Sequence, residues 1–249
     1  MIVDTFTFYN ELDILELRLT VLDQHVDQFV LVESELNHAG GPKELYFEKN
    51  KQRYSKWLHK IVHVIVKAED MPTDKNPWAR EKYQRECILR GLETVSDDTI
   101  VMLSDVDEIP DMKRINLTNL PVAIHMWMFE YSFKFLHTGE AWFGTVITTA
   151  SDMKARKPNF FRDKRWSFNR IMYAGWHLSS FGDAKHVLNK ITTYAHHADV
   201  GIFAEKNIET FEKIIQNGVH HDGKTKLVQW TPDIPLPASN DVISKIFIS

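Results

Sequence analysis

Apolar and polar residues alternate in short steps from Ile2 to Phe8; Leu12, Leu15, Leu19 and Leu22 then recur at helical spacing, and Phe29–Val32 is an unbroken apolar run. This sequence of periods predicts strand, helix, strand. A second cycle follows. Ile61–Val66 predicts a strand, and Trp78 to Val95 predicts a helix with Tyr83, Cys87, Ile88, Leu92 and Val95 on one face. Thr99–Leu103 predicts a further strand that runs directly into Ser104-Asp105-Val106-Asp107-Glu108-Ile109-Pro110. Strands separated by helices imply an α/β fold with a central, mostly parallel sheet covered on both faces. After Pro110 the texture changes. Val122 to Phe135 is aromatic-rich and strand-like, Trp142–Thr149 predicts another strand, and Ile208–Ile215 a short helix stopped at Gly218. The alternation of Trp127, Phe129, Tyr131, Phe133 and Phe135 predicts five rings on one strand face. The tail from Trp230, with Pro232, Pro235 and Pro237, predicts an extended arm over the body.

Composition narrows the chemistry. With 43% hydrophobic and 12% aromatic residues the 249-residue chain can bury a large core. A net charge of −4 argues against a broad phosphate-tracking surface, so nucleic acid is not an expected partner. The single Cys87 excludes an intramolecular disulfide and a cysteine-rich zinc site, leaving carboxylates and histidines as metal ligands. No basic, apolar leader opens the chain and no apolar run approaches the ~20 residues that span a bilayer, from which a soluble, cytoplasmic protein is expected.

The densest chemistry lies just past the Thr99–Leu103 strand. In open α/β sheets, side chains at the carboxyl ends of strands face the ligand crevice. Asp105 and Asp107 stand two residues apart there, and in extended geometry both carboxylates project to one side and converge on one divalent cation, Mg²⁺ or Mn²⁺. A cation so held offsets the charge that builds on a departing diphosphate. A solvated acidic turn is the ordinary explanation of an isolated Asp-x-Asp. Here a buried apolar strand delivers Asp105, Asp107 and Glu108 together and stops at Ile109-Pro110, placing like charges where a turn has no need of them.

Ser104–Pro110, read together with Ala174-Gly175-Trp176-His177-Leu178-Ser179, resembles glycosyltransferase family 17. The resemblance extends through Val32–Ser34, Pro42–Phe47, Lys190 and Asn217–Gly223, so it spans nearly the whole chain. It implies a GT-A-like fold, a UDP-sugar donor with UDP-GlcNAc first, a divalent cation, a glycan acceptor and inversion at the anomeric carbon. The expected organisation is a single domain over 1–249: a nucleotide-sugar-binding half at 1–110, an acceptor-side half at 111–229 and the C-terminal arm at 230–249.

Other residues are weighed within that frame. His177 is either a further metal ligand or diphosphate contact, or a buried histidine satisfied by backbone; Trp176 packs under a sugar ring or in the core. Glu33 and Ser34 end the second strand, where the uridine would sit. Arg80 and Arg85, on the helix before the metal strand, are candidates to hold phosphate oxygens. An inverting transfer needs a base for the acceptor hydroxyl. The candidates are Asp222, in the loop His220-His221-Asp222-Gly223, then Asp183 and Glu130, with an Asp-Gly turn the plain alternative for Asp222. The pairs His196-His197 and His220-His221 lack the spacing of a zinc hydrolase helix. The rival readings are a metal-dependent phosphohydrolase or nucleotidyltransferase, which would need a glycine-rich phosphate loop or a further catalytic acid and lysine near the first strand, and a non-catalytic glycan-binding protein of the same fold.

Overall fold

The computed structural model describes residues 1–74, 76–139, 141–193 and 207–247. Strand β1 (Ile2–Phe8), helix α1 (Leu12–Leu22) and strand β2 (Gln28–Ser34) lead into a one-turn helix α2 (Tyr46–Lys49), a 3₁₀ segment over Lys51–Lys60 and strand β3 (Ile61–Val66). β1 and β3 both run parallel to β2. Helix α3 (Pro77–Glu86) begins at Asn76, whose side chain accepts the Trp78 N–H at 3.0 Å, with Pro77 filling the first helical position. The predicted helix from Trp78 to Val95 is not a single α-helix, because the backbone tightens to 3₁₀ over Cys87–Leu92. At Gly91 it lies so close to β2 that a Cβ would meet Val30 Cγ1 at 2.3 Å. Cys87, Ile88, Leu92 and Val95 are nonetheless buried, as their spacing predicts.

Strand β4 (Ile100–Asp105) inserts beside β1 on the side away from β2, again in parallel. The chain thus winds one way through β2 and β3 and the other way into β4. This puts a topological switch point between the carboxyl ends of β1 and β4, where the two crossovers diverge and open a crevice. Alternate residues of the strands separate to two faces. Phe6, Phe8, Phe29, Leu31 and Met102 pack with the leucines of α1, whereas Val30, Val32, Val101 and Leu103 pack with the segment after α3.

The remaining elements are β5 (Glu108–Pro110), β6 (Val122–Glu130), β7 (Phe135–Leu136), β8 (Trp142–Thr149), α4 (Ala150–Arg156), α5 (Pro158–Lys164), β9 (Asn169–Ile171), β10 (Gly175–Ser179), α6 (Ala184–Thr193), α7 (Ile208–Gln216), β11 (Val228–Gln229) and α8 (Asn240–Phe247). β8 lies antiparallel between β4 and β6, so the sheet is parallel across β3-β2-β1-β4 and mixed beyond. The architecture is the expected one of a large central sheet flanked by helices. Two local expectations fail. The aromatic alternation does not make one face, because β6 ends at Glu130 and Tyr131 turns the chain with φ of 65°. Phe133 therefore packs edge-on against Phe129 and Phe181, while Tyr131 is buried with Val187 and Phe211. The tail is not an extended arm: it turns at residues 231–234, where Ile234 N–H donates to the Thr231 carbonyl at 3.1 Å, and its last described residues form α8. It is held where Trp176 Nε1 donates to the Pro235 carbonyl at 2.7 Å. No described helix is long and apolar enough to cross a membrane.

Candidate functional site

The two motifs that stand far apart in sequence are neighbours in one ladder. β5 pairs antiparallel with β10, placing His177 opposite Glu108 and Trp176 opposite Ile109, and Leu178 N–H donates to the Asp107 carbonyl at 2.8 Å. Asp105 is the last residue of β4, and Val106 and Asp107 form a tight turn into β5, so the carboxylates converge through a turn and not along an extended segment as predicted. Buried Arg18 holds that turn. Its Nη1 donates to the carbonyls of Asp105, Val106 and Glu108 at 3.2, 3.2 and 2.6 Å, and its Nε and Nη2 clasp Asp4 at 2.7 and 2.6 Å. Glu108 closes it from the other side, because Oε2 accepts the Asp105 N–H at 2.8 Å.

The turn opens on a cleft of about 770 Å³ lined by Asp105, Asp107, Arg85, His177, Trp142 and Lys190 among others, with residues 7–9 and 36–38 forming another wall. Each aspartate meets its own pair of cations. Arg162 Nη2 reaches Asp105 Oδ2 at 2.5 Å and Arg85 Nη2 lies 3.7 Å from Oδ1. Lys190 Nζ and His177 Nε2 lie 3.3 and 3.7 Å from Asp107 Oδ2. Burial alone would raise both carboxyls. Arg162 and Arg85 hold Asp105 below the usual range, and Lys190 with His177 hold Asp107 below it too. Burial likewise works against the His177 imidazolium, yet Asp107 and Glu108 raise its pKa. Arg162 also makes a two-pronged contact with Glu108, at 2.8 Å on each oxygen, and Trp142 Nε1 donates to Glu108 Oε1 at 2.8 Å.

Two carboxylates with an imidazole beside them are a donor set suited to a hard or borderline divalent cation, and both carboxylates line the cleft. Asp105, Asp107, His177 and Arg85 all line this cleft, although among the described residues the group of three whose ligand atoms lie within 4.8 Å of one another is Glu130, His220 and His221. The other expectations are corrected. Glu33 is fully buried and spent on structure: it accepts the Phe47 N–H at 3.0 Å and lies 3.1 Å from His63 Nε2 and 3.6 Å from Lys43 Nζ. Ser34 Oγ accepts the Leu36 N–H, so neither residue lines the cleft, and the chain reaches it only at residues 36–38. Arg80 donates to the backbone carbonyls of His38 and Asp74, fastening the loop between β2 and α2. Trp176 faces the tail through its bond to Pro235. Neighbours on a strand point to opposite faces, so His177 in the cleft requires Trp176 outside it. Rings that do line the cleft include Tyr9, Trp78 and Trp142, the last stacked on His177 with centroids 4.7 Å apart.

The proposed bases fare differently from one another. Asp222 accepts from Lys224 N–H, Thr225 N–H and Thr225 Oγ1 at 2.7, 2.8 and 2.6 Å, which is the turn geometry of the plainer reading. Burial works to raise its carboxyl, but these bonds together pull it well below the usual range. Asp183 is exposed and caps α6 by accepting the His186 N–H at 2.8 Å. Glu130 is fully buried behind His220 and His221, which line the cleft. His196 and His197 lie outside the described residues. Three residues went unremarked as site residues in the sequence: Arg18, Arg162 and Trp142. Arg18 had a signal, being a charge inside the leucine stripe of α1.

Comparison with known proteins bears on this site. The β-1,4-mannosyl-glycoprotein 4-β-N-acetylglucosaminyltransferases of rat and human are each 24% identical over 213 residues, covering 72% of this chain and 40% of theirs. The chain thus spans well under half the length of these curated relatives. Among solved structures, the catalytic domain of Drosophila β1,4-galactosyltransferase 7 overlays with a TM-score of 0.32 at 11% identity, covering 70% of this chain and 66% of that one. The sequence model of glycosyltransferase family 17 matches residues 1–223, and the chain belongs to that family.

Proposed function

We propose that the chain transfers a sugar, GlcNAc first, from a UDP-sugar to a glycan acceptor with inversion, and that Asp105 and Asp107, with His177, hold the divalent cation, Mn²⁺ or Mg²⁺. The observation that carries this reading is the pair of cleft-facing carboxylates at the switch point, each matched to cationic side chains that phosphate oxygens can also engage. The imidazole in the donor set tilts the choice toward Mn²⁺. When bound, the cation supplies charge neutralisation at the departing diphosphate.

The protein's own residues supply the rest. Arg85 and Lys190 present N–H donors on the two sides of the carboxylate pair, where a diphosphate would lie. Trp142, held by Glu108 and by stacking on His177, offers a flat apolar wall suited to the C–H face of a pyranose. Arg162 stays with Glu108 and keeps the turn charged and in place. Glycosyl transfer is favoured over phosphohydrolase chemistry by family membership and by the absence, among the described residues near β1, of a glycine-rich phosphate loop.

The test is thermal melting with a panel of nucleotide sugars, with and without Mn²⁺. A rise specific to one UDP-sugar, dependent on metal and absent in Asp107→Asn, is expected, because a ligand that binds only the native state raises the melting temperature by mass action. No rise with any nucleotide sugar, while Asp107→Asn melts as the wild type does, would overturn the reading.

A further inference from the structure

Beyond the Asp105–Asp107 turn, the cleft ends at a second group of polar side chains that the donor site does not use. β6 and β10 run in parallel to a shared end, with Glu130 opposite Ser179. There Tyr131 turns the chain, donates its N–H to the Ser179 carbonyl at 3.0 Å, and reaches through its hydroxyl to the Val219 carbonyl at 3.2 Å. Residues 218 to 227 fold as a hairpin against this corner: Leu227 N–H donates to Gly218 O, and His220 N–H to Thr225 O, both at 2.8 Å. Its tip brings the consecutive rings of His220 and His221 to centroids 3.8 Å apart.

Glu130 has no solvent exposure, and among the described residues neither of its oxygens accepts a hydrogen bond of normal geometry. The nearest cationic partner is His221 Nδ1 at 3.4 Å, itself buried and unbonded. A buried carboxylate held only by loose contacts with His221, His220 and the Ser179 side chain is costly unless a cation sits closer to it. One donor atom from each of Glu130, His220 and His221 lies within 4.8 Å of the other two. Ligand bonds of about 2.1 Å close such a triangle with side-chain shifts well under 1 Å. His220 Nδ1 accepts the Asp222 N–H at 3.3 Å, so the turn at Asp222 packs against the His220 ring.

We propose that Glu130, His220 and His221 form a binding site for a borderline divalent metal, Zn²⁺ foremost, separate from the Asp105–Asp107 pair. Two imidazoles and one carboxylate suit Zn²⁺, and a fourth position faces the cleft, which both histidines line. The metal ties the hairpin to the ends of β6 and β10 and fixes the far wall of the cleft. Glu130 then serves as a ligand in place of a base. The inference stands on these side chains alone and does not depend on the donor-site reading.

The full chain, stripped with a chelator, is dialysed against Zn²⁺, desalted and assayed for metal per chain, and a Co²⁺-loaded wild-type sample is examined for the visible bands of an imidazole-ligated ion. One equivalent of Zn²⁺ is expected in wild type and in Asp105→Asn/Asp107→Asn, with loss in Glu130→Gln and in His221→Gln. The Co²⁺ spectrum needs no variant, so a misfolded mutant leaves the test intact. A wild type that retains no Zn²⁺ and shows no Co²⁺ bands overturns the proposal. Metal that survives His221→Gln and disappears with the two aspartates also overturns it, and leaves the donor-site reading standing.

Discussion

Replacing Arg18 by methionine probes how the fold holds its chemistry. Arg18 and Asp4 are fully buried, and one guanidinium serves the Asp4 carboxylate and three carbonyls of the Asp105–Glu108 turn. Methionine keeps the apolar stem but ends short of the guanidinium's position and donates nothing. It strands a buried carboxylate, an outcome that costs about 3–5 kcal/mol when one partner of a buried pair is removed. Against a typical domain stability of about 5–15 kcal/mol this is a large loss. Urea unfolding of Arg18→Met should show a lower midpoint with an unchanged slope, which isolates stability from compactness. The double variant Arg18→Met/Asp4→Leu should recover most of the loss, because an ion pair exchanged for well-packed apolar groups is often neutral. It should not recover all of it. The turn carbonyls still lack their donor, at about 1 kcal/mol or more, and metal-dependent binding of a nucleotide sugar should stay weak even in the recovered protein. A single variant within about 1 kcal/mol of wild type, or a double variant no more stable than the single, would refute this account of the turn.

Gly91→Ala should destabilise by about 1–3 kcal/mol in urea unfolding, because its Cβ would meet Val30 Cγ1 at 2.3 Å; adding Val30→Ala should cost less than the two singles summed. Trp176→Phe removes the bond to the Pro235 carbonyl and should cost about 1 kcal/mol, with faster limited proteolysis in the segment after Trp230. Burial among rings lowers the pKa of His125 below its ordinary 6.5, so the neutral form is the folded form. Its contribution is complete above pH 6.5 and lost as pH falls through the depressed value, so wild type should lose unfolding free energy relative to His125→Phe as pH falls below 6.5, and the difference between the two should be constant above it.

What the sequence disclosed and withheld follows from the range of the interactions. Strand and helix periods are local, so β1, α1, β2, β3 and β4 are legible from residue spacing. So is the delivery of Asp105 and Asp107 to a strand end. The direction of a side chain at a strand end is not local. Glu33 looks like a ligand group until Phe47, His63 and Lys43 return from downstream to claim it. Arg162 comes from α5, a short helix with no apolar rhythm of its own, and its role exists only because β8 carries α4 and α5 back beside β4. Trp176 and His177 were decidable in principle, since strand alternation forbids adjacent residues from sharing the cleft. Asp222 shows the reverse case, in which the commonplace turn reading of Asp-Gly proved the right one.

The guarded aspartates have a thermodynamic consequence. Asp105 and Asp107 already have neutralising partners in Arg162, Arg85, Lys190 and His177, so a metal ion arriving alone must break those pairs and leave cations facing one another. A diphosphate arriving alone finds the same cations engaged. On the proposed function, the two arriving together would exchange partners, the carboxylates turning to the metal while the released Arg85 and Lys190 turn to the phosphate oxygens. Metal and nucleotide would then bind with positive coupling, each tightening the other by one common factor, and the cleft would discriminate against either visitor by itself.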